Sequence, residues 1–342
     1  RQEQPQVFQD HKQHAAVFYG EAAVTNLRIG TRGSPLALWQ AEHVAEAITR
    51  VGGPPTELIT IQTSGDRLSN TNLSKVGGKR LFVKEIEEAL VEDRIDLAVH
   101  SAKDLPAERL PELSIQAALP REDPRDAIVA RRSNQLDVPH ATTSSILDSN
   151  KKQLRVGTGS IRRTAQLRHA FPGINISSVR GNVGTRLRKL DEGKFDLLVL
   201  ATAGLIRLNL INRITTRIPS DLCVPAPGQG IVVGEYRKND TETEQLLTSI
   251  ADRNTTAALA AERALVTALG ADCQVPLGAM ATPSGDQLVV RGVVASPDGK
   301  TLITQEAHGN LIDAKSIGRE VAALLLEHGA GTILSTTRSM SE

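Results

Sequence analysis

Arginine recurs in this sequence where a strand would end and a helix begin, a pattern that suits the binding of anions. In GTGSIRR (from Gly157), Ser160 reads as a helix N-cap, which puts Arg162 and Arg163 in the first helical turn. Cations are unfavourable there, because the helix N-terminus carries the positive end of the macrodipole, so something anionic should compensate. The same place offers free backbone N–H groups, and an incoming carboxylate or phosphate would satisfy helix donors and arginines together. The alternative is that both arginines are solvated or bind an acidic neighbour. RGNVGTR (from Arg180) repeats the theme: Asn182 can cap a helix, and Arg186, one turn in, can lean back beside Arg180. Arg188 and Lys189 continue that helix as a solvated basic face. TRGSP (from Thr31) holds Arg32 just outside a helix capped by Ser34 and begun by Pro35, and Arg207 follows a strand end at ATAG. Ligands of open α/β sheets gather at that edge.

Asp104, in HSAKDLP, is the one carboxylate directly among these strand-end loops. It either neutralises an arginine or handles charge and protons on a substrate. His100 reads as a packed residue at a strand end. Lys75 and Lys79 flank GG in a long loop; solvated lysines are the default there, and mobile positive charge is the other reading. Cys223 reads as a small buried hydrophobe. Cys273 follows Gly270 and Asp272 in an irregular segment after a helix, a better place for a reactive thiol.

The elements that must position these residues follow one repeated pattern from Leu27 onward: an apolar run, a loop with Gly, Ser or Thr, then a stretch of helical periodicity. LRIG (from Leu27), LITIQ (from Leu58), IDLAVH (from Ile95) and LSIQAAL (from Leu113) read as strands of a first unit, with helices through Leu36 to Ile48 and through Phe82 to Leu90. REDPRD (from Arg121) reads as a crossing into a second unit with strands LRVGT (from Leu154), INISSV (from Ile174) and FDLLVLAT (from Phe195). PAPGQG (from Pro225) is a second crossing, and IVVGEY (from Ile231) reads as a strand returning to the first unit. A helix near 255–269, a hairpin QLVVRGVV/TLITQEAH around SPDGK, and a helix near 312–327 close the chain.

The expected fold is therefore α/β, with two domains of the periplasmic-binding-protein type around a cleft and a smaller C-terminal α+β domain. Residues 25–122 and 229–250 are expected to form domain 1, 123–228 an inserted domain 2, and 251–342 a domain 3 carrying Cys273. Residues 1–24 are expected to be a flexible extension.

Bulk properties narrow the function. The chain has 342 residues, 40% hydrophobic and 23% charged, which suits a folded protein of two or three domains. Forty basic against thirty-nine acidic residues leave a formal charge of +1, so anion specificity must be local, and nothing global points to nucleic acid or a membrane. Aromatics are only 2%, too few for base-stacking platforms. Cys223 and Cys273 lie far apart without CxxC spacing, which favours a reducing compartment and no metal. The polar N-terminus precedes no secretory h-region, and LLVLATAGLI (from Leu197) is well short of the roughly 20 residues of a membrane span.

TRGSPLALWQ, VGGK, LFVKE, DLAVHSAKDLP, LPREDPRDA, RRTAQL, RGNVGTRL, ATAGLIRL, GQG and CQVPLG occur in an order and approximate spacing that resemble the hydroxymethylbilane synthase (porphobilinogen deaminase) family, from about Leu27 to Glu327. The resemblance implies a transferase of haem biosynthesis that joins four porphobilinogen molecules into hydroxymethylbilane, releasing ammonia at each addition. It implies a dipyrromethane cofactor held covalently by Cys273, with Lys79, Asp104, Arg162, Arg163, Arg180, Arg186 and Ser34 around it. It implies substrate binding by Arg32, Ser34, Lys75, Arg180, Arg186 and Arg207, catalysis by Asp104, and a cytoplasmic monomer. Phe82 stands where an aromatic can cover the cofactor, with core packing as the other reading. The sequence departs from the family's usual residues at Ala102, Arg80 and Gly159, and none of these removes a proposed charge. A non-enzymatic binding protein that captures a small anion in a two-domain cleft is the alternative; a cysteine hydrolase lacks a nearby histidine motif.

Overall fold

A computed structural model describes residues 26–67, 82–132, 142–148, 154–271 and 275–339. Two five-stranded mixed sheets and one three-stranded antiparallel sheet organise the described residues. In the first sheet β1 (Leu27–Thr31) pairs in parallel with β2 (Thr56–Thr60) and β3 (Leu97–Ser101). The strand β10 (Val232–Arg237) runs antiparallel between β3 and β4 (Leu113–Ala117). In the second sheet β6 (Arg155–Gly157) pairs in parallel with β7 (Asn175–Ser177) and β8 (Leu197–Ala201). There β5 (Asp126–Ala130) runs antiparallel between β8 and β9 (Thr216–Arg217). The two sheets share one plan, and in each the antiparallel inner strand directly follows a crossing from the other sheet. IVVGEY thus returns to the first sheet, while β5 and β9 add two strands that the apolar runs did not announce.

The helices bury the faces their spacing marks. In α1 (Pro35–Arg50) Gln40, Ala41, Val44, Ala47 and Ile48 face the first sheet, and Ser34 caps the helix by accepting from Ala37 N at 3.3 Å. Short α2 (Ser64–Arg67) and then α3 (Lys84–Val91) follow, with Phe82 in the turn before α3 rather than inside it. In the second unit α4 (Thr143–Leu147), α5 (Ile161–Ala170), α6 (Val183–Asp191) and α7 (Thr202–Arg207) surround the sheet. Ser160 caps α5 and Asn182 caps α6, at the two positions their sequence context indicated. Beyond α8 (Thr241–Ile250), α9 (Arg253–Ala268) and α10 (Ala314–Glu327) pack together on the antiparallel sheet β11 (Leu277–Ser284), β12 (Gln287–Ala295) and β13 (Leu302–Asn310), and α11 (Ala330–Ser339) ends the described chain. Leu259, Leu265, Val290, Val321 and Leu325 lie in the core of this unit.

One carboxylate joins the three parts. Glu262 of α9, fully buried, accepts from Arg121 Nη1 at 2.6 Å, from Gly228 N at 2.6 Å and from Ala281 N at 2.7 Å. Arg121 and Gly228 belong to the two crossings, so both are moored to the C-terminal unit through charge-assisted bonds. Among the described residues no helix is long and apolar enough to cross a membrane.

Candidate active site

The parallel strands β1, β3, β6 and β8 end on the edge where the sequence places its arginine loops, and the structure sorts those arginines by what they face. Asp126, the first residue of β5 and fully buried, receives Arg162 Nη2 at 2.8 Å, Arg163 Nε at 3.0 Å and Nη2 at 2.7 Å, and Gln229 Nε2 at 2.8 Å. Burial alone would raise the Asp126 carboxyl, but the two guanidinium charges outweigh it and hold it below the ordinary carboxylate range. Arg162 and Arg163 are only 4% and 6% exposed. The acidic neighbour that the sequence left open thus exists, and the anion that compensates the first turn of α5 is an internal one. Arg162 also donates to Val224 O at 2.7 Å, and Gln166 brackets Val224 with two further bonds, so α5 is tied to the PAPGQG crossing. Asp126 was missed in the sequence because REDPRD reads as a charged linker; an acid at the start of an apolar DAIVA run is the signal that was there. Cys223 beside it is buried, and burial foremost, with Asp126 adding to it against the opposing arginines, pushes its thiol up to about 12, which leaves it inert.

Asp104 lies in the tight turn Ala102–Asp104 after β3. Gly228 presses on this turn at φ +73°, where a Cβ would lie 2.8 Å from that of Ala102; only glycine fits that approach. Asp104 is exposed, Lys103 partly buried. The Lys103 ammonium is pushed down to about 8, by burial first, with Asp104 opposing and Arg163 and Arg162 adding repulsion. Arg186, whose Nε donates to Gly181 O at 2.7 Å, is pushed down to about 10 by burial and by Arg163, with Asp104 again opposing. Asp104, Arg163 and Arg186 therefore form one electrostatic group with Lys103, a residue inside the SAKD motif that sequence reasoning passed over. With Asp126 taken up by its own pair, one exposed acid faces several cations, and two of those cations hold their protons less tightly than normal. Among the described residues the cations of this group outnumber its acids, and a further anion would be favourable there.

Other expected residues fall around this group. Arg32 pairs with Asp66, its Nε 3.2 Å from Oδ2, and its guanidinium lies 4.3 Å from the centroid of Phe82. Phe82 thus packs on Arg32, and a Cβ on Gly65 would collide with its ring. Burial would raise the Asp66 carboxyl, but Arg32 and Thr63 outweigh it and lower it. The Ser34 hydroxyl serves as the cap of α1. Arg180 is half-buried, and its carbonyl accepts from Lys189 Nζ at 3.1 Å. Arg207 is buried and donates to Gly230 O at 2.7 Å, with Glu122, not Asp104, as the charge acting on it. His100 is buried on β3, 3.1 Å from the buried Glu235 of β10. Lys75, Lys79, Arg80 and Cys273 lie outside the described residues.

Residues 27–245 match the family model described as "Porphobilinogen deaminase, dipyromethane cofactor binding domain", and residues 256–327 match "Porphobilinogen deaminase, C-terminal domain". The chain belongs to the porphobilinogen deaminase family. Porphobilinogen deaminases from two strains of Acidithiobacillus ferrooxidans are each 46% identical to it over 315 residues, which is 92% of this chain and 99% of theirs. The first porphobilinogen deaminase model spans every arginine discussed above together with Asp104, and the second spans Cys273. Among solved structures, the periplasmic VFT2 domain of Bordetella pertussis BvgS is 16% identical, with TM-score 0.40 over 66% of this chain and 86% of that one. The probable amino-acid ABC transporter extracellular-binding protein YtmK of Bacillus subtilis is 13% identical, with TM-score 0.41 over 68% of this chain and 95% of that one. Likeness at these scores adds nothing to the reading of the site.

The donor set suits the cofactor named in the family model. A dipyrromethane carries acetate and propionate groups, and the Asp104 group offers guanidinium and ammonium partners that outnumber its acids among the described residues.

Proposed function

We propose that this chain works as a hydroxymethylbilane synthase, joining four porphobilinogen molecules into the linear tetrapyrrole with release of ammonia at each addition. The observation that carries the reading is the set of cations gathered around Asp104: among the described residues Arg163, Arg186 and Lys103 act on this one exposed acid, and Lys103 and Arg186 are pushed down to about 8 and about 10, by burial first and then by repulsion between the cations. A polycarboxylate supplies counter-charge to them.

In this reading Cys273 holds the dipyrromethane as a thioether, and Lys79, Arg162, Arg163, Arg180, Arg186 and Ser34 surround it. When bound, the cofactor supplies the nucleophilic pyrrole carbon that primes the chain. Arg186, Arg163 and Lys103 orient the carboxylates of cofactor and substrate, while Arg32, Ser34, Lys75, Arg180 and Arg207 complete the substrate contacts. Arg162 acts from behind, through Asp126, by fixing where Arg163 stands. Asp104 places a negative charge where positive charge develops on the pyrrole nitrogens as the aminomethyl group leaves, and a proton reaches the departing ammonia in the same neighbourhood. Preorganised charge of this kind acts without reorganising at the moment of reaction. A cytoplasmic monomer is the simplest setting for such an enzyme. No observation favours the binding-protein alternative.

Intact-mass measurement of the purified chain tests the reading. The mass should exceed that of the sequence by one dipyrromethane, and Cys273→Ala should lose both the excess and turnover. A folded protein of unmodified mass that still consumes porphobilinogen would remove the thioether from the mechanism; one that consumes none would remove the function.

A further inference from the structure

The second crossing does more than connect the two α/β units. Its residues 224–228 read VPAPG. Proline fixes its own φ, and the residue before a proline is pushed to extended backbone, so each of the four positions ahead of Gly228 is restricted. A stretch of this kind passes a displacement from one end to the other, where a Gly/Ser-rich one would absorb it.

Both ends are fixed, and to different units. Gln166 of α5, 2% exposed, holds both polar groups of the Val224 backbone: its Oε1 accepts from Val224 N at 2.7 Å, and its Nε2 donates to Val224 O at 3.1 Å. Arg162 Nη1 donates to the same carbonyl at 2.7 Å. At the far end Gly228 N donates to Glu262 at 2.6 Å. That glycine lies so close to the Asp104 turn that a Cβ would stand 2.8 Å from Ala102 Cβ and 3.1 Å from Lys103 N. Ile231 N donates to Gly228 O at 3.0 Å, and Ile231 O accepts from Ala102 N at 3.0 Å, which binds the turn to the crossing a second time. Between the ends, Pro225 O accepts from Ala279 N of β11 at 2.9 Å.

We propose that residues 224–228 are a rigid spacer that sets the separation between Arg162 and Arg163 on one unit and Asp104 on the other, with Gln166 as the positioning residue that anchors it on α5. A side-chain amide that pairs with both the N–H and the C=O of one residue fixes orientation as well as distance. Gln166 spends its amide on backbone and acts on the site only through where α5 stands. The effect on turnover rests on the transferase reading; the stiffness of the spacer does not.

Gln166→Met nearly keeps the volume of the side chain and removes both bonds, and hydrogen exchange on the purified full chain reads the consequence without reference to turnover. The Val224 amide should exchange about fivefold faster, and with it the Ala102 and Leu105 amides, which donate to Ile231 O and Ala102 O at the far end. Acceleration at Val224 alone overturns the spacer, and none at Val224 overturns the anchor. With porphobilinogen, Gln166→Met should lower kcat about tenfold to a hundredfold and leave KM within about threefold, since the arginines keep Asp126 while their distance from Asp104 changes. In the Asp104→Asn background the same substitution should cost less than about twofold further, because the group whose distance it alters is gone. Equal losses in both backgrounds, or a change in KM alone, overturn the positioning role. Pro225→Gly/Pro227→Gly loosens the spacer with Gln166 in place; it should reproduce the kcat loss and add less than about twofold to that of Gln166→Met, and full turnover in this variant overturns the rigidity. Wild-type protein that leaves porphobilinogen unconsumed counts against the transferase reading, and the exchange rates then decide the spacer by themselves.

Discussion

Replacing Asp126 by asparagine keeps the shape of the side chain and removes one charge, and what Asp126 faces sets the consequence. Two guanidinium groups, 4% and 6% exposed, would lose the negative charge they share and keep the carbonyls of Val224 and Val199, the Cys223 sulfur and one amide oxygen. Breaking a buried pair by removing one partner costs about 3–5 kcal/mol, and two stranded cations place this case at the upper end. At roughly 2–4 °C per kcal/mol for a larger domain, the thermal midpoint should fall by about 10–20 °C, read by circular dichroism or calorimetry. The pH dependence follows from the sign of the shift. Burial raises the Asp126 carboxyl, Arg162 and Arg163 lower it more, and the folded value lies below the ordinary 3.8. The stabilisation is therefore complete above the unfolded value and is lost only as pH falls through the lower folded one. Wild type and Asp126→Asn should differ fully at neutral pH and converge in strong acid. A midpoint within about 3 °C of wild type at pH 7, or a gap that persists unchanged in acid, refutes the reasoning.

Asp104 is exposed, so Asp104→Asn should leave the midpoint within about 2 °C while cutting kcat by about 10²–10³, the scale for losing one preorganised charge at the reacting centre. Near-normal turnover of porphobilinogen would take Asp104 out of the chemistry. Lys103 sheds its proton near pH 8 in the folded chain, against an ordinary 10.5. The folded state binds fewer protons than the unfolded one between those values, so stability contributed by this group rises with pH there, while KM for porphobilinogen should rise as the ammonium is lost. Lys103→Gln should flatten that KM profile, and a wild-type KM constant from pH 7 to 9 counts against the assignment. Arg186→Gln removes a cation disfavoured by burial and by Arg163, so the midpoint should hold or rise while KM increases severalfold; a large loss of stability would mean the residue is structural.

The fold was legible to the extent that its elements carry periodic apolar patterns. β1, β3, β8 and β10 are short apolar runs bounded by breakers, and the caps Ser34, Ser160 and Asn182 sit where their sequence context puts them. The strand β11 was not, because LGAMATPS lacks β-branched alternation and is held by pairing with β12 and by the bond from Ala281 N to Glu262. The strand β5 was hidden for a different reason. Its first residue is the buried Asp126, and a charged residue at the start of a strand reads as linker until its partners, thirty-six and thirty-seven positions away, are known. The arginine loops were legible as a group, since all lie at strand ends and the helix dipole makes Arg162 and Arg163 anomalous in the first turn of α5. Which arginines are spent on internal acids was not, because that depends on contacts between segments far apart in sequence.

That division explains how one edge of the fold can be both rigid and hungry for anions. Arg32, Arg162 and Arg163 each have a carboxylate within the protein, Asp66 or Asp126, and these acids are held below their ordinary range despite burial. Their charge is largely used in fixing the loops, and what they add to the site is position and a residual field. Among the described residues Lys103, Arg186 and Arg207 have no carboxylate in ion-pair contact, and all three are pushed down from their ordinary values, burial first in each case. Lowered cations and lowered acids have different causes: in the acids attraction outweighs burial, and in the cations burial outweighs what attraction the neighbouring acids supply. Lys103 and Arg186 lie within electrostatic reach of the exposed Asp104, so these buried cations gather at the turn that Gly228 and the second crossing hold in place. A ligand carrying several carboxylates meets cations there whose burial it offsets, and the frame that presents them has already been neutralised from within.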